Sequence, residues 1–565
     1  MPDSEKPEGG LGSADLAAFV VDRVSHPLRY RSTTDVVLAP GSRNGGLALG
    51  FAQQAGGLDG ARVHVRIDER SAGFLALGMA KATGGQVPVV TTSGTAAANL
   101  HPALLEAVHA GIPLLAITAD RPAELVGRGA NQTTQQAGMF GPLVPYFELA
   151  TGMEPQAVDD VVNAALATVT GRTTGHRGPA HLNVRLAEPL LGSAQPVRRP
   201  VTADDGPRSA PLPRAIWTQP PGESWSLPGR VLVVVGECSP ALARATRTLA
   251  ERQGWPLLAE PTSNARSGPN ALRCGRLLVG ATSGAAAELV ARIDNLLVVG
   301  HPTLSRPVGR LLARHDVPIT VVSERETFTD VAGVATHART LPDEQTSGVH
   351  GWLAAWLSVD RVVGGRLDGL LGNAFSGWSA AAAVASEAEA YAALVVGSSH
   401  PVRDLDLAPV PAVWPTVFAN RGLAGIDGTV STAAGVALEL GPTMALMGDL
   451  TFLHDTNGLM IGPGEARPPL RIVVVNDDGG SIFATLEPGA PEHGAHFERV
   501  FGTPHRTDLA TLCAAHGIRY KRADNQDELL ARLHDPALTL EVVEVPITRS
   551  DRRDLDQRIS HLADH

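Results

Sequence analysis

Apolar positions along the chain follow two alternating rhythms. Short β-branched runs are each followed by stretches with apolar residues at helical spacing. The pattern predicts an amphipathic helix at Asp15–Val24, then a strand at Asp35–Leu38 closed by Ala39-Pro40-Gly41-Ser42-Arg43. Arg62–Ile67 alternates as a strand, Ser71–Ala82 is a helix of small residues, and Val87–Thr92 a strand. A helix at Thr95–Ala110 and a strand at Pro113–Ala119 complete the series. Regular β-α alternation means parallel sheet with helices on both faces. A second set opens at Arg230–Gly236, with strands near Asn295–Val299 and Pro318–Val322. A third runs from Ala392, with strands near Leu394–Val396, Met444–Met447, Arg471–Val475 and Leu540–Val545. Residues 191–228, rich in Pro, Ser and Gly, read as a linker, and 340–380 as an irregular connection. The expected domains are therefore 12–190, 228–345 and 375–565, all α/β and doubly wound.

Length and charge narrow the function. A chain of 565 residues exceeds one core. A net charge of −11 argues against nucleic acid or anionic membrane as general partners. Only three lysines occur (Lys6, Lys81, Lys521), so the cationic chemistry is arginine chemistry, which suits carboxylate ligands. Cys238, Cys274 and Cys513 are scattered, with no CxxC pair, as expected in a reducing compartment. The N-terminal MPDSEKPEGG is polar and expected to be disordered; it does not read as a signal peptide. No run is apolar and long enough to span a bilayer, so no stable membrane insertion is expected.

Candidate chemistry concentrates at strand ends, where open α/β sheets collect ligands. Residues 443–483 read strand, turn, helix, strand, turn, with Gly448-Asp449 at one turn and Asn476-Asp477-Asp478-Gly479-Gly480 at the other. Thr451–Met460 has helical spacing, and the N–H groups of a helix starting after Asp449 favour phosphate. Oxygen ligands from the two turns can hold Mg²⁺. The alternative is an ordinary βαβ unit with acidic loops. In the first domain, Glu69 falls at a strand-to-helix junction.

Gly-Asp followed about two dozen residues later by Asn-Asp resembles the diphosphate motif of thiamine-diphosphate (ThDP) enzymes, with Leu450 in place of the usual third Gly and Asp477 in place of the second Asn. Three α/β domains of comparable size is the plan of the pyruvate-oxidase-like members of that class. Longer stretches narrow the resemblance: APGSRN (39–44), RIDERSAG (66–73), TSGTAAANL (92–100), TADRPAEL (118–125), GANQTTQQ (129–136), SSHPVRDLD (398–406), ANRGLAGIDGTVSTAAG (419–435), GDLTFLHDTNGL (448–459) and NDDGGSIF (476–483). Together they are similar to the 2-succinyl-5-enolpyruvyl-6-hydroxy-3-cyclohexene-1-carboxylate (SEPHCHC) synthases of menaquinone biosynthesis. The central domain is covered mainly by GHPTLSRPV (300–308).

The resemblance implies a ThDP- and Mg²⁺-dependent transferase, with Mn²⁺ as an alternative ion. It would decarboxylate 2-oxoglutarate and add the succinyl-semialdehyde carbanion to isochorismate in a conjugate addition. Glu69 would serve the aminopyrimidine in general acid/base work. Asp449, Asp477 and the Gly479 carbonyl would hold the metal, with Asp478 as rival to Asp477. Ile426 would lie under the cofactor and force its bent shape; Gly425, Gly448, Leu450, Ser399 and Ile482 would line its pocket, with Ser93 and Thr95 approaching from the first domain. Arg43, Arg121, Arg403 and Arg421 would grip substrate carboxylates, helped by Ser42, Asn131, Gln132 and Arg306, with Phe483 against the ring. His400 and His454 are read as structural. The resemblance further implies a cytoplasmic homodimer at minimum, assembled as a tetramer, with the first domain of one subunit serving the third domain of another. Another ThDP-dependent carboligase or decarboxylase, such as acetohydroxyacid synthase, is the alternative.

Overall fold

The computed structural model describes residues 10–25, 35–55, 62–192, 224–325, 327–344 and 349–564. The N-terminal decapeptide but for its last residue, and most of the linker read at 191–228, lie outside them. The chain carries three parallel sheets. By packing it divides into two compact units: 1–214 with 427–439 and 455–468, and the remainder.

The first unit holds β1 (Asp35–Leu38), β2 (Arg62–Val65), β3 (Val87–Thr91), β4 (Leu114–Asp120), β5 (Tyr146–Ala150) and β6 (Ala180–Arg185), in the order β2-β1-β3-β4-β6-β5. The order reverses between β1 and β3, which makes their carboxyl ends the place for a ligand. β3 and β4 are buried throughout, as continuous apolar runs in a doubly covered parallel sheet require. The helix Glu69–Thr83 is nearly all small or apolar because both its faces are covered. The helix Thr429–Leu440 packs on it at backbone contact. A Cβ on Gly78 would stand 2.1 Å from the Thr432 carbonyl oxygen, and one on Gly435 2.3 Å from that of Leu75. Asp35 (1% exposed) bonds His64 and Arg62, and Arg62 reaches Glu439 on the same Thr429–Leu440 helix. The stretch expected as one helix at Thr95–Ala110 is two, Thr95–Ala98 and His101–Ala110. Pro102 lacks the N–H that a continuous helix would use and sits instead in the second helix's first turn.

The second unit holds two sheets. β7 (Val231–Val235), β8 (Leu257–Ala259), β9 (Asn295–Val299), β10 (Ile319–Val322) and β11 (Thr336–Ala338) run β11-β10-β9-β7-β8. β12 (Ala393–Val396), β13 (Thr416–Phe418), β14 (Thr443–Gly448), β15 (Leu470–Asn476), β16 (Arg519–Arg522) and β17 (Glu541–Pro546) run β13-β12-β14-β15-β17-β16. That is the order of the first sheet repeated, with the reversal now between β12 and β14. The expected irregular connection at 340–380 is wrong. It contains a 20-residue helix, Trp352–Leu371, and the start of another, Gly377–Glu387. Trp352, Trp356, Val363 and Leu367 form its buried stripe under the central sheet, whereas Gly364, Gly365 and Gly369 read locally as breakers. Tertiary burial outweighs their cost of about 1 kcal/mol each.

Candidate active site

The β12/β14 switch point gathers the acidic turns. Asp449 opens the short helix Asp449–His454 and is 2% exposed. Its Oδ1 accepts the Leu450 N–H (2.6 Å) and its Oδ2 the Gly479 N–H (2.8 Å), so the two turns are tied together through one carboxylate. His505 Nε2 lies 3.1 Å from the same Oδ2, and its Nδ1 accepts the Thr507 N–H. The imidazole therefore presents Nε2–H to Asp449. Nothing in the sequence singles out His505, which lies 56 residues from its partner. Asp477 is pushed up to about 7 by burial and by the charge of Asp449, and its Oδ1 is buried without a hydrogen-bond partner. Asp478 behaves differently. At φ 57°, it turns its Oδ1 to the N–H groups of His505 (3.1 Å) and Arg506 (2.7 Å). Gly479 has φ 141°, and a Cβ there would meet the Gly502 carbonyl oxygen at 2.0 Å, so the turn requires glycine. Gly448 is open, with no atom nearer than 3.9 Å to an added Cβ. Leu450 and Ile482 are half-buried at the same ends, and Phe483 is exposed and tilted against Phe501. Gly425 and Ile426 are half-buried.

Basic groups converge on the same edge. Ser399, at the end of β12, has φ 81° and ψ −144°, a conformation costing a non-glycine residue about 1–3 kcal/mol and held only where the surroundings enforce it. Arg403 Nη1 donates to the Ser399 carbonyl (2.7 Å). Burial and the charges of Arg421 and Arg276 lower Arg403 to about 10. Arg421, 3% exposed, donates to Thr303 Oγ1 (2.8 Å), while its Nε is buried unpaired. Among the described residues neither guanidinium has a carboxylate within ion-pair distance. Arg306 is placed otherwise: it is exposed and paired with Glu487 at 2.7 Å. His400 is buried against Arg552 (2.8 Å), which also pairs with Asp404, in keeping with a structural role.

In the first unit, the β1/β3 switch point brings Arg43, Arg121, Ser93 and Gln132 together. Arg121 (8% exposed) donates to Ser93 Oγ and to the Gln132 carbonyl (2.9 Å), and Gln132 Nε2 donates back to the Ser93 carbonyl (3.0 Å). Burial and the neighbouring Arg43 lower Arg121. Arg43 donates to the Leu186 carbonyl at 2.7 Å. Ser42, Thr95 and Asn131 are exposed beside them. Glu69 is the first residue of the Glu69–Thr83 helix and half-buried; among the described residues its carboxylate has no hydrogen-bond partner. Asp68 caps that helix, accepting the Arg70 and Ser71 N–H groups.

No cluster of three or more His, Cys, Asp or Glu side chains fit to hold a metal occurs among the described residues. Nor is any described helix long and apolar enough to cross a membrane.

Known proteins resemble this chain in sequence and in fold. Residues 20–139 match the thiamine pyrophosphate enzyme, N-terminal TPP binding domain. A benzoylformate decarboxylase from Polynucleobacter necessarius shares the fold, with TM-score 0.63 and 17% identity over 96% of this chain and 99% of that one. The repeated sheet order and the matched domain define the class, a thiamine-diphosphate-dependent enzyme. SEPHCHC synthases from Nocardioides sp. and Kineococcus radiotolerans are each 46% identical to the chain, over 97% of it and 98% of their own length. The chain belongs to the SEPHCHC synthase family.

Proposed function

We propose that the chain decarboxylates 2-oxoglutarate and joins the remaining succinyl-semialdehyde unit to isochorismate, releasing SEPHCHC and CO₂ in menaquinone biosynthesis. The observation that carries this reading is the pair Arg403 and Arg421, partly to fully buried and, among the described residues, without a carboxylate at ion-pair distance. Buried cations persist where a partner completes them, and both substrates are carboxylates that a guanidinium fork fits. Arg43 and Arg121, with Gln132 and Asn131, supply a second basic set.

The residues fit Mg²⁺ or Mn²⁺ and the cofactor's diphosphate. Asp449 and Asp477 offer hard oxygen donors, one of them an orphaned buried Oδ1, and their mutual repulsion favours a cation between them. Asp478 spends its carboxylate on the 505–506 loop, which supports Asp477 and the Gly479 carbonyl as the remaining ligands. When bound, ThDP supplies the electron sink for decarboxylation. Glu69 would hold a proton at N1′ of its aminopyrimidine. Ser93, Thr95, Ser399, Gly425, Ile426, Gly448, Leu450 and Ile482 would shape the pocket, and Phe483 would meet the cyclohexadiene ring.

We place the active unit as a cytoplasmic homodimer assembling to a tetramer. The Glu69 helix packs here on the Thr429–Leu440 helix of its own chain; a second copy presenting the same helix would satisfy the same contacts. Mixed Glu69→Gln and Asp449→Asn subunits then regain activity, and no regain means that each chain completes its own site. The deciding test of the reaction is ultraviolet-monitored isochorismate consumption with and without 2-oxoglutarate and ThDP. Conversion of pyruvate alone to acetolactate would overturn the reading.

A further inference from the structure

A buried carboxylate away from the acidic turns joins the starts of two helices. Asp455 is 0% exposed. Its Oδ2 accepts the Ser431 N–H (2.7 Å) in the first turn of the Thr429–Leu440 helix, and its Oδ1 accepts the Ser71 hydroxyl (3.2 Å) in the first turn of the Glu69–Thr83 helix. Two residues on, Asn457 Nδ2 donates to Asp68 Oδ2. Asp68 is itself the cap whose other oxygen takes the Arg70 and Ser71 N–H groups. The residues on both sides of Glu69 are thus fixed by one short segment, 455–457. Gly428 completes the joint, since a Cβ there would fall 1.9 Å from the Phe74 ring.

A carboxyl that must meet one ring nitrogen needs its backbone held to a few tenths of an ångström, and a side chain at a helix start has no preceding turn to brace it. Asp68 alone leaves its second oxygen free to swing; Asn457 removes that freedom. Ser71 alone is a helical serine; Asp455 converts its hydroxyl into a tether. A fully buried carboxylate is costly even with Ser431 and Ser71 donating to it and the Arg70 charge nearby, and burial raises Asp455 accordingly.

We propose that Asp455 and Asn457 are positioning residues for Glu69, acting through Ser71 and Asp68 to set the angle at which its carboxyl meets the aminopyrimidine. This rests on the reading that Glu69 faces the cofactor. The test uses full-length Asn457→Ala, Ser71→Ala and Asp455→Asn, with Glu69→Gln as reference. Three quantities are read: ThDP affinity by calorimetry, hydrogen–deuterium exchange at the cofactor's C2 by NMR, and amide exchange of residues 69–72 without cofactor. Asn457→Ala and Ser71→Ala should keep ThDP affinity and thermal midpoint near the parent. They should slow C2 exchange about 10–100-fold and raise amide exchange at the start of the helix. Should Asp455→Asn fail to fold, these two variants carry the test alone. Normal C2 exchange in both, with Glu69→Gln impaired, overturns the positioning role. Normal exchange in Glu69→Gln overturns the underlying reading instead. Loss of ThDP affinity or thermal stability in step with exchange shows a merely structural joint and also overturns the inference.

Discussion

Asp477 keeps one buried oxygen without a partner in the field of Asp449, whose own two oxygens are occupied by N–H groups of Leu450, Gly479 and His505. Two neighbouring carboxylates, one braced by N–H groups and one with a buried oxygen left unpartnered, make a site that gains from a cation. Asp477→Ala should therefore lower Mg²⁺-dependent ThDP affinity about 100-fold. Asp477→Asn should keep most of that affinity, because the amide oxygen still ligates, and should raise the thermal midpoint of the cofactor-free protein by removing the repulsion. Asp478→Ala should cost about 1 kcal/mol through the lost loop bonds and leave the Mg²⁺ dependence intact. Calorimetric titration of Mg²⁺ and ThDP separates the three; equal loss in Asp477→Ala and Asp478→Ala would contradict the assignment.

Glu260 is 2% exposed, and its Oε1 accepts the N–H groups of Thr303 (2.9 Å) and Leu304 (2.7 Å) beside Arg421. Burial raises it to about 7 from an ordinary 4.5. Between those values the folded chain binds more protons than the unfolded one, so stability falls as pH rises. The contribution is full below about pH 4.5 and lost by about pH 7. Glu260→Gln preserves the accepting oxygen and removes the charge. It should match the parent at about pH 5 and exceed it at about pH 8 by about 2–3 kcal/mol. Thermal midpoints at the two pH values check this, and a gap independent of pH would refute it.

Arg403 and Arg306 both lie in stretches that read as substrate-binding, yet their surroundings differ. Arg403 is half-buried, held on the Ser399 carbonyl and in the field of Arg421 and Arg276; Arg306 is two-thirds exposed and already paired with Glu487. Arg403→Ala should weaken one carboxylate substrate by about 2–5 kcal/mol. Arg306→Ala removes a surface pair worth about 0–1 kcal/mol and should leave both KM values near the parent. Steady-state kinetics with each substrate varied in turn distinguishes them. An unchanged KM for both substrates in Arg403→Ala would remove it from the site.

The contrast between legible and hidden features follows chain distance. The strands at Asp35–Leu38 and Asn295–Val299 are readable to the residue because a buried parallel strand is a near-continuous apolar run. Glu69 at a helix start and the acidic turns after β14 and β15 are equally visible. The helix Trp352–Leu371 is not, since its glycines mask a stripe whose partners lie in the central sheet. His505 is invisible because its meaning lies entirely in Asp449. Asp455 stands in plain view inside GDLTFLHDTNGL, but its task depends on Ser431 and Ser71, which only folding brings to it.

One substitution should have opposite signs at two helical glycines. Gly365, inside Trp352–Leu371, faces open space, with no atom within 4 Å of an added Cβ. Gly365→Ala should stabilise by about 0.5–1 kcal/mol by lowering the backbone entropy of the unfolded chain. Gly78 carries the same propensity gain, but its Cβ would press on the Thr432 backbone at 2.1 Å, an atom that cannot rotate away. The Glu69 and Thr429–Leu440 helices would have to separate, at a net cost of about 1–3 kcal/mol. Because that separation also strains the Ser71–Asp455–Ser431 bridge, Gly78→Ala should slow C2 exchange of bound ThDP while Gly365→Ala leaves it unchanged. Denaturant midpoints and NMR exchange on the pair measure both effects; a Gly78→Ala protein as stable as the parent would show that the two helices do not meet at this glycine.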